Sequence, residues 1–175
     1  MRSKHNWYRR FTRGARRMTC VTLTDVARRL GSTRAFARMG RAASRLDRRL
    51  QRASGGRWSV LGRVRLPQLV LTTTGRRSGE PRDAVLLYAR DGESWVVLAS
   101  NWGQGHDPAW ALNLRADPHA RVTVAGSSTQ VVARTASDDE RARLMPRLRE
   151  IWPGYDAYAA RAGRPLPLFV LDPRT

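Results

Sequence analysis

Leu71-Thr-Thr-Thr-Gly-Arg-Arg-Ser-Gly-Glu-Pro-Arg82, followed at once by Ala84-Val-Leu-Leu-Tyr88, decides how this chain folds. A β-run over Leu69–Thr74 ends at Gly75, and a second apolar run over Pro81–Arg90 leads away from Gly79. The glycines bound a tight turn, so the stretch reads as a β-hairpin. Asp91-Gly92 is a second hairpin signal and joins this run to Ser94–Ser100. Further along, Arg121–Val124 and Gln130–Arg134 flank Ala125-Gly-Ser-Ser128 as another hairpin, and Pro167–Leu171 is the last strand. Helices are fewer. Asp107-Pro108 opens one through about Arg115, with Asp as cap and Pro at the first helical position. Ser137-Asp-Asp-Glu140 is a capping box starting a helix to about Ile151. After Trp152-Pro153-Gly154, a short turn or helix runs through Tyr155 and Tyr158. Strands joined by hairpins with few helices between them predict an antiparallel barrel, not a doubly wound sheet.

The charge is unevenly spread. Of 33 Lys/Arg and 14 Asp/Glu, residues 1–57 hold 17 basic side chains against only Asp25 and Asp47. The body is therefore a mildly basic globular domain, and the high isoelectric point belongs to the N-terminal third. Residues 1–32 read as a basic flexible arm. From Thr33 to Ala53, Phe36, Met39, Ala43, Leu46 and Leu50 recur at three- and four-residue steps, which predicts an amphipathic basic helix over 33–56. That helix either caps the body or lies on anionic lipid. The barrel domain is expected over 57–175. Cys20 is the single cysteine, which excludes a disulfide framework and fits a reducing cytoplasm. The basic start is followed by no apolar stretch of signal-peptide or membrane-span length. Met18 is a candidate alternative start.

Three constellations can carry chemistry. Arg76, Arg77 and Arg82, with Ser78 and the backbone of the turn, offer forked donors and N–H groups to a phosphate or carboxylate. A solvated charged turn is the alternative reading. Ala99-Ser-Asn-Trp-Gly-Gln-Gly-His-Asp-Pro-Ala-Trp-Ala-Leu-Asn113 ends a strand, crosses a glycine-rich loop and begins a helix. Such a loop favours an electron-rich, hydrogen-bonding ligand. Trp110 and Leu112 read as core there, and Ser100, Asn101 and Gly103 as site. Trp152, Tyr155 and Tyr158 form either an aromatic wall with hydroxyl handles or a cap on the barrel. His5, His106 and His119 lack metal-ligand spacing, and no P-loop or nucleophile elbow is present. An enzyme so poor in acid–base residues is explained by a cofactor that does the difficult chemistry.

In order and spacing across residues 64–172, these segments resemble the deazaflavin (F420)-dependent nitroreductase family of actinobacterial oxidoreductases. The matching residues are Leu71–Arg82, Tyr88-Ala-Arg-Asp-Gly92, Ala99-Ser100, Pro108–Pro118 and Pro153-Gly-Tyr-Asp-Ala-Tyr158. The resemblance implies an α+β, mainly β, split β-barrel like that of FMN-binding reductases, with short helices packed on it. It implies coenzyme F420, with FMN as the alternative cofactor, and hydride transfer to a quinone, nitroaromatic or activated alkene. Arg76, Arg77 and Ser78 would hold the coenzyme's phosphate and glutamyl tail. Arg82, Asp83, Ala84, Val85, Leu86 and Leu87 would line the deazaflavin. Leu98, Ala99, Ser100 and Asn101 would run along the ring, and Ala109, Trp110, Ala111, Leu112 and Asn113 would complete the wall. Tyr155 would lie at the reactive face as proton donor, with Trp152 and Tyr158 shaping the substrate pocket. Trp102 stands where the family usually has glycine, and Trp152 where a tyrosine is common. The partner is then a small-molecule electron acceptor, with the protein a monomer or homodimer in the cytoplasm. The basic third would tether it to the inner face of the membrane. A nucleic-acid-binding arm is the rival reading of the same charge, against which stand its few aromatics and the balanced body.

Overall fold

The computed structural model describes residue 33 and residues 66–174. The expected arm at 1–32, nearly all of the expected helix over 33–56 and the start of the barrel domain at 57 lie outside the described residues. Six strands close into an antiparallel barrel in the order β1-β2-β3-β6-β5-β4. They are β1 (Gln68–Thr74), β2 (Pro81–Asp91), β3 (Ser94–Leu98), β4 (His119–Val124), β5 (Ser127–Thr135) and β6 (Leu168–Pro173). A 3₁₀ turn (Asn101–Gly103) and helix α1 (Ala109–Ala116) lie between β3 and β4, while α2 (Asp138–Ile151) and α3 (Tyr155–Ala162) lie between β5 and β6. Every strand reading therefore holds, with ends shifted by one to three residues.

Alternation along the strands makes two cores. Leu69 and Leu71 of β1, Val97 of β3, Val122 of β4, Val131 of β5 and Phe169 and Leu171 of β6 point into the barrel. Helix α1 plugs it by adding Trp110, Ala111 and Leu114. The intervening residues Ala89, Val96, Leu98, Leu168 and Val170 face outward, where α2 covers them with Leu144 and Leu148 and α3 with Tyr155 and Tyr158. Each fully buried Leu or Val of these cores contributes about 1.5–3 kcal/mol of transfer free energy.

The capping box at α2 forms as the sequence predicts. Ser137 accepts from the Glu140 amide, and the Glu140 carboxylate accepts from the Ser137 amide at 2.9 Å. Glu140 is also gripped by both terminal nitrogens of Arg134, at 2.7 and 2.8 Å. That hydrogen-bonded guanidinium is the largest cause holding the Glu140 carboxyl down at about 2, against an ordinary value of 4.5. A depressed carboxyl stabilises the fold above its unfolded value and loses that contribution as pH falls through the folded one. We therefore expect Glu140→Gln to reduce the loss of stability that the native protein shows between pH 4.5 and about 2, read by urea unfolding across that range, with Asp91 and Asp117 accounting for part of what remains. At α1 the cap differs from expectation. Pro108, not Asp107, is the N-cap, and no side chain caps the helix. The Asp107 carboxylate is occupied elsewhere, by Arg115 and Arg164, each at 2.6 Å.

Candidate functional site

The β1–β2 turn is built around Gly75. Its carbonyl accepts from the Ser78 and Gly79 amides at 3.0 and 2.7 Å, and its own amide donates to Glu80 at 2.8 Å. A Cβ at this position would sit 2.8 Å from Ser78 Oγ and 3.0 Å from the Glu80 carbonyl, so only glycine fits. Ser78 Oγ accepts from Arg82 Nη2 at 3.1 Å and from the Glu80 amide at 3.3 Å. The turn is then tied to α1 by Asn113, which is 3% exposed. Asn113 Oδ1 accepts from the Arg76 amide at 3.3 Å, and Nδ2 donates to Thr73 Oγ1 at 3.1 Å. This buried amide thus fixes an otherwise exposed hairpin against the helix that plugs the barrel.

Between hairpin and helix runs a groove of about 740 Å³. Its lining is Gly75, Arg76, Arg77, Ser78, Arg82, Asp83 and Ala84 on one side, and Asn101, His106, Pro108, Ala109, Trp110 and Asn113 on the other. Trp110 is held from behind by the edge of Phe169, with ring centroids 5.6 Å apart. The hairpin residues bring guanidinium and backbone donors to the groove, and Ala84, Ala109 and Trp110 bring apolar surface. An extended ligand with an anionic tail and a ring matches that division.

Two of the three chain segments expected to form a site meet here, though not residue for residue. Arg76, Arg77, Ser78, Arg82, Asp83, Ala84, Asn101, Ala109, Trp110 and Asn113 line the groove. Val85, Leu86 and Leu87 do not: Val85 and Leu87 fall on the opposite face of the strand from Ala84, and Leu86 shares the face of Ala84 but lies further along β2. Leu86 packs on the barrel core and Leu87 on the outer one. Leu98, Ala99, Ser100, Ala111 and Leu112 are likewise not in the lining; Ala99 and Ala111 are buried in the barrel and Leu98 in the outer core. The largest correction concerns the aromatics. Tyr155, Trp152 and Tyr158 are 5%, 6% and 2% exposed and pack in the outer core, behind β3 and β6. Burial pushes the hydroxyls of Tyr155 and Tyr158 up, so both stay neutral. They cover the barrel from outside and are absent from the groove's lining. His106 and Pro108 line the groove without having been expected to.

The loop carrying Asn101 is wound tightly. Asn101, Trp102 and Gly103 all have positive φ (43°, 56° and 74°), a conformation that costs a non-glycine residue about 1–2 kcal/mol. Trp102 offsets this by packing on Tyr158, 6.2 Å between centroids, with its carbonyl accepting from Arg161. Gly103 lets the loop approach α3, since a Cβ there would lie 3.1 Å from the Tyr158 backbone. The indole at position 102 therefore docks on the outer aromatics and does not fill the groove.

The sequence profile of the F420H(2)-dependent quinone reductases matches residues 39–173. This chain belongs to that family. It is an oxidoreductase that works with coenzyme F420. An F420H(2)-dependent quinone reductase of Mycobacterium tuberculosis is 36% identical over 111 residues, or 62% of this chain and 74% of that protein. A putative F420H(2)-dependent quinone reductase of Mycobacterium bovis is equally similar. Among solved structures, an F420-H2 dependent reductase superposes with a TM-score of 0.57 at 27% identity, covering 61% of this chain and 94% of that one. A domain-swapped dimer shares the fold with a TM-score of 0.59 at 24% identity, covering 77% of this chain and 98% of that one. The groove's donor set fits the coenzyme: guanidinium forks and turn amides for its phosphate and acidic tail, and Ala84, Ala109 and Trp110 for its ring. No helix among the described residues is long and apolar enough to cross a membrane.

Proposed function

We propose that this groove is where the coenzyme binds and where a quinone is reduced. The observation that carries the reading is that the arginine turn and the start of α1 line one groove and are locked together through Asn113. Arg76, Arg77 and the Ser78 turn hold the anionic end, with Arg82 kept in place by Ser78. Arg77 has no protein partner among the described residues, so its fork is available to an anion. Ala84, Ala109 and Trp110 flank the ring, and Asn101 and Asn113 supply polar contacts at its edges. When bound, the reduced coenzyme supplies a hydride. The chain's contribution is to bring the acceptor into van der Waals contact with it, an arrangement worth up to several kcal/mol, about 7–11 in the best-oriented cases. Mixing protein, reduced coenzyme and a quinone such as menadione should return the coenzyme's oxidised absorption. No return with a quinone overturns the acceptor assignment, and nitroaromatics and activated alkenes are the next acceptors to offer.

Because Tyr155 is buried in the outer core, we expect Tyr155→Phe to leave quinone turnover unchanged within about twofold, since it removes one hydroxyl and no packing. A steady-state assay showing a hundredfold loss would put this tyrosine back at the reacting centre. The basic N-terminal third suggests a tether to anionic lipid, near an apolar quinone. Vesicles containing phosphatidylglycerol should sediment the whole protein at low salt, and removal of residues 1–52 should abolish this.

A further inference from the structure

His106 lines the groove beside Asn101 and Trp110, and nothing above gives it a role. Its ring is held at one nitrogen. Nδ1 lies 3.0 Å from the Asp107 carbonyl oxygen and 3.3 Å from Asn101 Nδ2. Asn101 Nδ2 also donates to the His106 carbonyl at 3.0 Å, so side chain and backbone are pinned by the same amide. Nδ1 faces both a carbonyl oxygen and an amide donor, and Nε2 has no partner among the described residues.

The charged groups around it are arginines or carboxylates already held by a neighbour. Arg76, Arg77 and Arg82 share the groove, and Arg161 on α3 lies beyond the loop; an arginine does not deprotonate in a protein. The Asp83 carboxylate accepts from Thr72 at 2.8 Å. Asp107 is bound on both oxygens by Arg115 and Arg164. Tyr155 is in the other core. Histidine is the side chain whose charge changes between about pH 5 and 8.

We propose that His106 is the proton donor for the reduced acceptor, an assignment that rests on the quinone reductase reading above. The quinone takes a hydride from the reduced coenzyme, gaining two electrons as the coenzyme is oxidised, and is left as a hydroquinone monoanion. The His106 imidazolium gives its Nε2 proton to that anionic oxygen, completing the hydroquinone. The neutral imidazole, which is exposed, takes a proton back from water.

The test uses the full chain, its His106→Ala and His106→Gln variants, reduced F420 and menadione. Both variants should bind F420 with native affinity by fluorescence titration. Turnover should fall roughly 100-fold, the low end for general acid catalysis. Added imidazole should partly restore turnover to His106→Ala. Unchanged turnover in both variants overturns the proposal. So does a loss that imidazole does not restore and that comes with weaker coenzyme binding, which marks a structural role. If the native protein itself leaves menadione unreduced, the reductase reading fails first and the proposal falls with it.

Discussion

Replacing Arg76 and Arg77 together with alanine should raise the F420 dissociation constant by at least 100-fold, while turnover at saturating coenzyme changes little. A hydrogen bond to a charged group is worth about 1.5–3 kcal/mol, and two such forks are lost. The turn itself should survive, because its frame is made by backbone bonds from Gly75 to Ser78, Gly79 and Glu80. The Asn113 tie also persists through the amide of residue 76, although the weaker contact from Arg76 Nη1 at 3.4 Å disappears. Arg76→Lys with Arg77→Lys should recover only part of the affinity, since an ammonium keeps the charge but loses the planar fork. Fluorescence titration at two salt concentrations measures both effects. The native affinity should weaken with salt and that of the double alanine variant hardly at all. Equal affinities for the native protein and the double variant would remove the hairpin from the coenzyme site.

The second large effect concerns stability. Phe169→Ala should cost about 3–5 kcal/mol, as expected for deleting a buried aromatic ring. Phe169 is 2% exposed, sits at the centre of the barrel core and meets the Trp110 ring edge-on. A domain of this size has a total stability of roughly 5–15 kcal/mol, so about a fifth or more of it would be lost. The same change should loosen the groove, because Trp110 forms its wall and Phe169 is what backs it. Urea unfolding gives the first quantity and coenzyme affinity the second. Phe169→Leu, which keeps most of the volume, should restore much of both.

The barrel was legible because its signals are local. Gly75 and Gly79, Asp91-Gly92 and the Ser137–Glu140 capping box each act within a few residues, and each forms as read. The site was legible only as segments. A contiguous stretch such as Arg82–Leu87 cannot line one surface when its backbone is a strand. Leu69 pairs with Leu86 and Leu71 with Ala84, so the residues between them point the other way. The Asn113–Thr73 link joins residues 40 apart and has no local signature. Tyr155 and Tyr158 have the composition of a pocket wall, but helix α3 turns them onto the outside of β3 and β6. His106 carried no ligand spacing, yet its place between Gly105 and the Pro108 that precedes α1 was the available clue. A side chain there sits at a loop–helix junction facing whatever the loop binds.

Which face of the barrel holds the ring is the deciding point. A crystal structure of the protein with F420 decides it. The coenzyme's phosphate should lie in the Gly75–Arg82 turn, with its ring between Ala84 and the Ala109–Trp110 wall and within reach of His106. A ring found instead against Trp152, Tyr155 and Tyr158, on the outer face of β3, would contradict it.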